Sequence, residues 1–198
     1  MRAIVALVVL SLIGACSPTG KPQGPPPNQS VPRPPAENAT DAHGIAAFAA
    51  QLKEYALLHD RVERTLPALP KDATPQQIDQ HQRALAQLIL KNRSAARRGD
   101  LFTAAGERAI RGLVADLLKG ADGGKIRSTI MDENPVAVKL SVNGRYPDAV
   151  PLSTVPPQIL AALPKLPEEL EYRFIGPRLI LLDIHAHTVA DYIENALS

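Results

Sequence analysis

Asp183, His185 and His187 occupy alternate positions near the end of this 198-residue chain. Alternate side chains of an extended strand share one face. A strand running that far would therefore gather one carboxylate and two imidazoles, a donor set that suits zinc and whose chemistry would be metal-assisted hydrolysis. The plainer reading is a set of polar residues at a strand end that lead into a helix cap. His43, His59 and His81 stand at no fixed spacing from the pair. His59 falls on an apolar helical stripe, where a core or boundary histidine is the ordinary outcome.

The apolar strand closing in His185-Ala186-His187 resembles the opening motif of the amidohydrolase-type metal enzymes. That resemblance implies the first strand of a β/α barrel of roughly 250 residues, whereas eleven residues follow His187. Later strands that would supply the remaining ligands are therefore not expected. The pair stays as the basis of an alternative, a small metal-dependent hydrolase.

Other catalytic patterns are absent from the sequence. Gly124-Lys125 invites comparison with a phosphate-binding loop, but that motif needs glycine where Lys119 stands and Ser or Thr where Ile126 stands. There is no Gly-x-Ser-x-Gly nucleophile elbow. Glu168, Glu169 and Glu171 fall in a proline-bounded stretch and read as a solvated charge run. No catalytic residue is assigned and no cofactor is implied.

Charge is uneven along the chain. Residues 71–128 hold eleven Lys or Arg against six Asp or Glu, and residues 129–198 hold five against nine. Lys91, Arg93, Arg97 and Arg98 form a cluster that could meet an anionic lipid surface or envelope polymer, although a solvated face is the plainer reading. The net charge of only +2, the 4% aromatic content and the lack of a recognisable module argue against nucleic acid as a partner.

The one cysteine, Cys16, follows Leu12-Ile13-Gly14-Ala15. It excludes an intramolecular disulfide. Arg2 supplies a short basic start, and residues 3–13 form an apolar run of signal-peptide length, short for a bilayer span. Together these residues resemble the lipobox of bacterial lipoproteins. The resemblance implies removal of residues 1–15, lipidation of Cys16 and tethering to a membrane by acyl chains, two or more of which make a stable anchor. Ser17 in place of Asp implies outer-membrane delivery, with the domain facing the periplasm.

The elements that must position any site follow from periodicity. Residues 16–40 are dense in proline and read as a solvated, polyproline-like spacer. Residues 41–198 read as one α+β domain, helical over 41–120 and mixed over 121–198. Ile45, Phe48, Leu52, Tyr55, His59, Val62 and Leu66 trace one helical face, with Thr40 or Asp41 as its cap. Thr74-Pro75 opens a second helix to about Arg97, lined by Ile78, His81, Leu85, Leu88 and Asn92. Asp100 caps a third, lined by Phe102, Ala105, Ala109, Leu113 and Leu117. Three antiparallel helices are the simplest packing.

A short helix is expected over 126–132, and alternation over 136–144 predicts a strand that ends at Asn143-Gly144. Thr154 should cap a short helix over 158–163. Residues 170–174 and 179–185 form a hairpin about Gly176-Pro177, and 189–197 a closing helix. Val142-Asn143-Gly144-Arg145-Tyr146-Pro147, the proline-rich segment 151–157 and the hairpin resemble the C-terminal part of a group of bacterial exported proteins to which no activity is attached. That resemblance implies a helices-then-mixed order and transfers no site residue. The expectation is a non-enzymatic envelope lipoprotein with an interaction or structural role, whose partner would be another envelope protein.

Overall fold

The structure is a computed structural model that describes residues 35–133 and 138–198, with side chains from residue 39 onward. The expected signal segment, Cys16, the expected spacer to residue 34, and residues 136 and 137 of the expected strand lie outside the described residues. Five helices, α1 (Pro35–Glu63), α2 (Pro75–Asn92), α3 (Ala104–Leu118), α4 (Gly123–Asp132) and α5 (Pro157–Ala162), precede three strands, β1 (Leu170–Ile175), β2 (Arg178–Asp183) and β3 (Thr188–Ile193). The strands form an antiparallel sheet in the order β1-β2-β3. The fold is therefore α+β, helices followed by a small antiparallel sheet, as composition and periodicity predict.

Helix α1 buries the face its spacing predicts, with Phe48, Leu52, Tyr55, His59 and Val62 all inside. It starts at Pro35, so Thr40 and Asp41 lie within it and do not cap it. Proline is tolerated in a first helical turn, and nothing between 36 and 40 breaks a helix. Gly44 sets the crossing with α3: a Cβ there would stand 2.4 Å from the carbonyl oxygen of Ala105. One turn on, the Phe48 ring stacks on Phe102 with centroids 5.0 Å apart and planes 8° from parallel. Rising numbers on α1 meet falling numbers on this part of the chain, so the two helices run antiparallel. Helix α2 also opposes α1, since His81 approaches Glu63 while Arg93 lies over the Tyr55 ring, 4.9 Å from its centroid.

Thr74 caps α2 as expected, in a reciprocal capping box with Gln77. The helix stops at Asn92, five residues short of Arg97, where the Asn92 side-chain amide donates to the Leu88 carbonyl. Leu85 and Ile89 are its buried residues, while Ile78 and Asn92 from the expected stripe are exposed. Thr103, and not Asp100, caps α3 by accepting from Gly106. Asp191 governs this helix entry. Its buried carboxylate accepts from the backbone N–H groups of Gly99, Leu101 and Phe102, the donors a buried charge needs, and it thereby fastens β3 to the start of α3. Thr154 does not cap α5, whose preceding residue is Pro156; its hydroxyl donates to Glu133 instead.

The β1–β2 hairpin closes through Gly176, at φ 55°, and Pro177, with Ile175 paired to Arg178. Strand β2 is covered on both sides. Leu179 and Leu181 join the large core shared with the helices. Ile180 and Leu182 face a second cluster with Tyr146 and Val189, against which Val138 and Leu140 pack.

Two expected elements are corrected here. Residues 138–144 are not a strand, because a turn closes from Gly144 to Ser141 with Asn143 at φ 58° and leaves a single bridge, Arg145 to Thr188. The third strand is instead the segment read as a closing helix. Thr188, Val189, Tyr192 and Ile193 are β-branched or aromatic, and pairing with β2 outweighs the weak helical preference of so short a run.

Candidate functional site

Strand parity and helix periodicity meet at one point. The side of β2 that carries Leu179 and Leu181 toward the helices carries Asp183 there too. On α1, Tyr55, His59 and Glu63 are four residues apart and stack along one face. The Tyr55 hydroxyl donates to Asp183 Oδ2 at 2.7 Å. His59 Nε2 lies 3.3 Å from the same oxygen and His59 Nδ1 lies 3.5 Å from Glu63 Oε2. His59 is only 1% exposed, yet neither ring nitrogen has a well-directed hydrogen bond among the described residues.

The connection from β2 to β3 completes the cluster. Asp183 Oδ1 accepts the backbone N–H of Ala186 at 2.7 Å, which folds residues 184–187 into a turn, and Ala186 is buried beside Val62, Leu85 and Ile89. His185 is thereby set over Glu63, with Nδ1 3.2 Å from Oε1 and its ring 5.2 Å from that of His59, edge to face. From α2, His81 Nε2 reaches to 3.7 Å from Glu63 Oε1.

This turn overturns the shared face expected for Asp183, His185 and His187. The strand ends at Asp183, His187 takes φ 53°, and its ring meets Tyr146 edge to face and Asp148 at 3.6 Å. Asp183 and His185 stay near each other through the α1 residues, and His187 leaves. Ligand atoms of His59, Glu63 and His185 all lie within 4.8 Å of one another. This is the metal-capable set among the described residues.

Burial and charge act together on the titrating groups. Burial and then the Asp183 carboxylate push the Tyr55 hydroxyl well above its ordinary value, so it serves as a hydrogen-bond donor. For His59, burial pulls downward, but Asp183, then Glu63 and Glu169, together raise the imidazole above its ordinary value. Burial followed by the Arg145 guanidinium lowers His187. Glu169 corrects another expectation: it is 7% exposed, not part of a solvated run, and its Oε1 has no hydrogen-bond partner among the described residues. Glu168 is exposed, and Glu171 pairs with Arg173.

No family model, curated protein or solved structure matches this chain.

The basic cluster divides on folding. Lys91, Arg97 and Arg98 are exposed, Arg98 with Glu107 at 3.5 Å. Arg93 turns inward over Tyr55 and donates to Asn143 Oδ1 at 2.8 Å, while the Asn143 amide donates back to the Arg93 carbonyl. Beside it a cleft of about 510 Å³ opens, walled by Gln51, Glu54, Tyr55, Arg93 and Asp100 among others. His59 and Glu63 do not line it. Among the described residues no helix is long and apolar enough to cross a membrane.

Glu63 carries no pattern of its own in the sequence and is the site residue that sequence reasoning passes over. Its signal is the i, i+4 spacing from His59, itself four residues beyond Tyr55 on the helical face. What that face meets is set by the distant strand β2.

Proposed function

We propose that this chain is a bacterial envelope lipoprotein, anchored through acylated Cys16 and carrying a small α+β domain that acts as a non-enzymatic binding or structural module on the periplasmic side of the outer membrane. The observation that carries this reading is the Leu12-Ile13-Gly14-Ala15-Cys16 sequence behind an apolar run with Arg2 at its start. The proline-dense stretch between Cys16 and α1 supports it, as a spacer that would hold the domain off the membrane. For the module itself, support comes from how the polar residues are used. Tyr55, Asp183, Arg93, Asn143 and Asp191 tie helices to the sheet and to the 138–146 segment.

Mass spectrometry of the mature N-terminus from the native host tests the anchor. The expected species begins at Cys16 and carries diacylglycerol and a further acyl chain. Cys16→Ser should shift the chain out of the membrane fraction. An unmodified Cys16 overturns the reading. Hydrolysis of ester, amide or phosphoester probes by the purified chain, abolished in His185→Ala, would overturn the non-enzymatic half.

A further inference from the structure

We propose that His59, Glu63 and His185 form a binding site for a divalent transition cation of the zinc type, with Asp183 as the carboxylate that orients His59. The distances fit first. Zinc bound at about 2.0–2.1 Å in tetrahedral geometry places neighbouring ligand atoms roughly 3.3 Å apart. Here His59 Nδ1 and Glu63 Oε2 are 3.5 Å apart, and His185 Nδ1 is 3.2 Å from Oε1 and 3.3 Å from Oε2 of Glu63. The two separations to Glu63 match a chelate, and the two imidazoles lie within 4.8 Å of each other, a gap that small side-chain movements onto a cation would close.

An independent observation is the state of His59. A buried imidazole without directed hydrogen bonds is costly, and His59 is 1% exposed with both nitrogens in that condition. A cation at Nδ1 would satisfy one nitrogen. The other, Nε2, stands 3.3 Å from Asp183, close enough to take up the carboxylate–histidine arrangement that orients metal ligands once a cation fixes the ring. Asp183 is itself held by the Tyr55 hydroxyl and the Ala186 amide, so the orienting group does not swing.

Charge points the same way. Glu63, Asp183 and Glu169 all act electrostatically on His59, while Arg93 is occupied over Tyr55. Two imidazoles, one carboxylate and no thiolate select zinc or a neighbouring transition metal over magnesium or calcium. Glu63 and His185 are 31% and 44% exposed, so the cation has a route in and a position left for water, with His81, 3.7 Å from Glu63, beside it. The bound ion would join α1 to the β2–β3 turn. The site stands whether or not Cys16 is acylated, so a failure of either proposal leaves the other to be judged on its own result.

The test uses the full-length chain without a histidine tag, stripped with chelator and titrated calorimetrically with zinc chloride, with cobalt(II) visible spectra as a second readout. One ion per chain is expected. His185→Ala and Glu63→Gln, at partly exposed positions that should leave the fold intact by circular dichroism, should each weaken binding at least tenfold. Asp183→Asn should weaken it about 10- to 100-fold, and His187→Ala should leave it unchanged. Absence of zinc binding at micromolar concentrations, or equal affinity in folded His185→Ala and Glu63→Gln, overturns the proposal.

Discussion

At the scale of single residues the decisive group is Asp183. It is fully buried and receives Tyr55, the Ala186 amide and the flank of His59. Tyr55→Phe removes one donor from a buried carboxylate while conserving shape, and should cost about 1–3 kcal/mol of stability, measured by urea denaturation. His59 gives a pH signature in the chelator-treated protein. Against the downward pull of burial, its folded value is raised by Asp183 on β2, then by Glu63 on α1 and Glu169 before β1. The folded state therefore holds the proton more tightly than the unfolded chain. The stability it contributes is complete below the ordinary histidine value of about 6.5 and is lost as pH rises through the raised folded value. Zinc should reverse the trend, because protons compete with the cation. Thermal melts at several pH values, with and without zinc, read the two slopes.

At the scale of elements, the α1–α3 crossing is set by a missing side chain. Gly44→Ala would improve helix propensity by about 1 kcal/mol, yet its Cβ would meet backbone at 2.4 Å, which no rotamer change relieves. The net expectation is a destabilisation of about 1–3 kcal/mol, seen as a lower urea midpoint with an unchanged slope. Two elements also show where local pattern loses to tertiary pairing. The alternating apolar residues Val138 and Leu140 do pack on the sheet, but the Ser141–Gly144 turn leaves their backbone outside its ladder. Residues 188–193 take the third place, because the turn held by Asp183 returns them directly alongside β2.

At the scale of the molecule, the proposed anchor raises the question of what the exposed basic residues would meet beside a bilayer. If Lys91 and Arg97 touch anionic headgroups, each is worth about 1 kcal/mol near the surface. A Lys91→Gln, Arg97→Gln double variant of the full-length chain, with Cys16→Ser to remove the anchor, should bind anionic vesicles about thirtyfold more weakly than Cys16→Ser alone. The difference should fade with added salt, and vesicle flotation measures it. Equal binding would mean that these side chains are solvated surface. Arg93 is left out of the variant because its guanidinium belongs to the interior contacts with Tyr55 and Asn143.

What the sequence by itself determined is what local chemistry determines: the N-cap at Thr74, the buried stripe of α1 and the β1–β2 hairpin. Each depends on spacing within a few residues, where periodicity and turn geometry dominate. The tertiary structure decided the rest. Tyr55 and Asp183 are 128 residues apart in the chain, and no local rule says which strand a helical face will meet. The parity of β2 decided that Asp183 points to α1, and the turn at 184–187 decided that His185 joins His59 and Glu63 while His187 turns toward Tyr146. A His-x-His spacing predicts a shared face only while the backbone stays extended. Here the carboxylate of the pattern ends the strand by capturing the Ala186 amide, and the turn that follows breaks the shared face the spacing suggests.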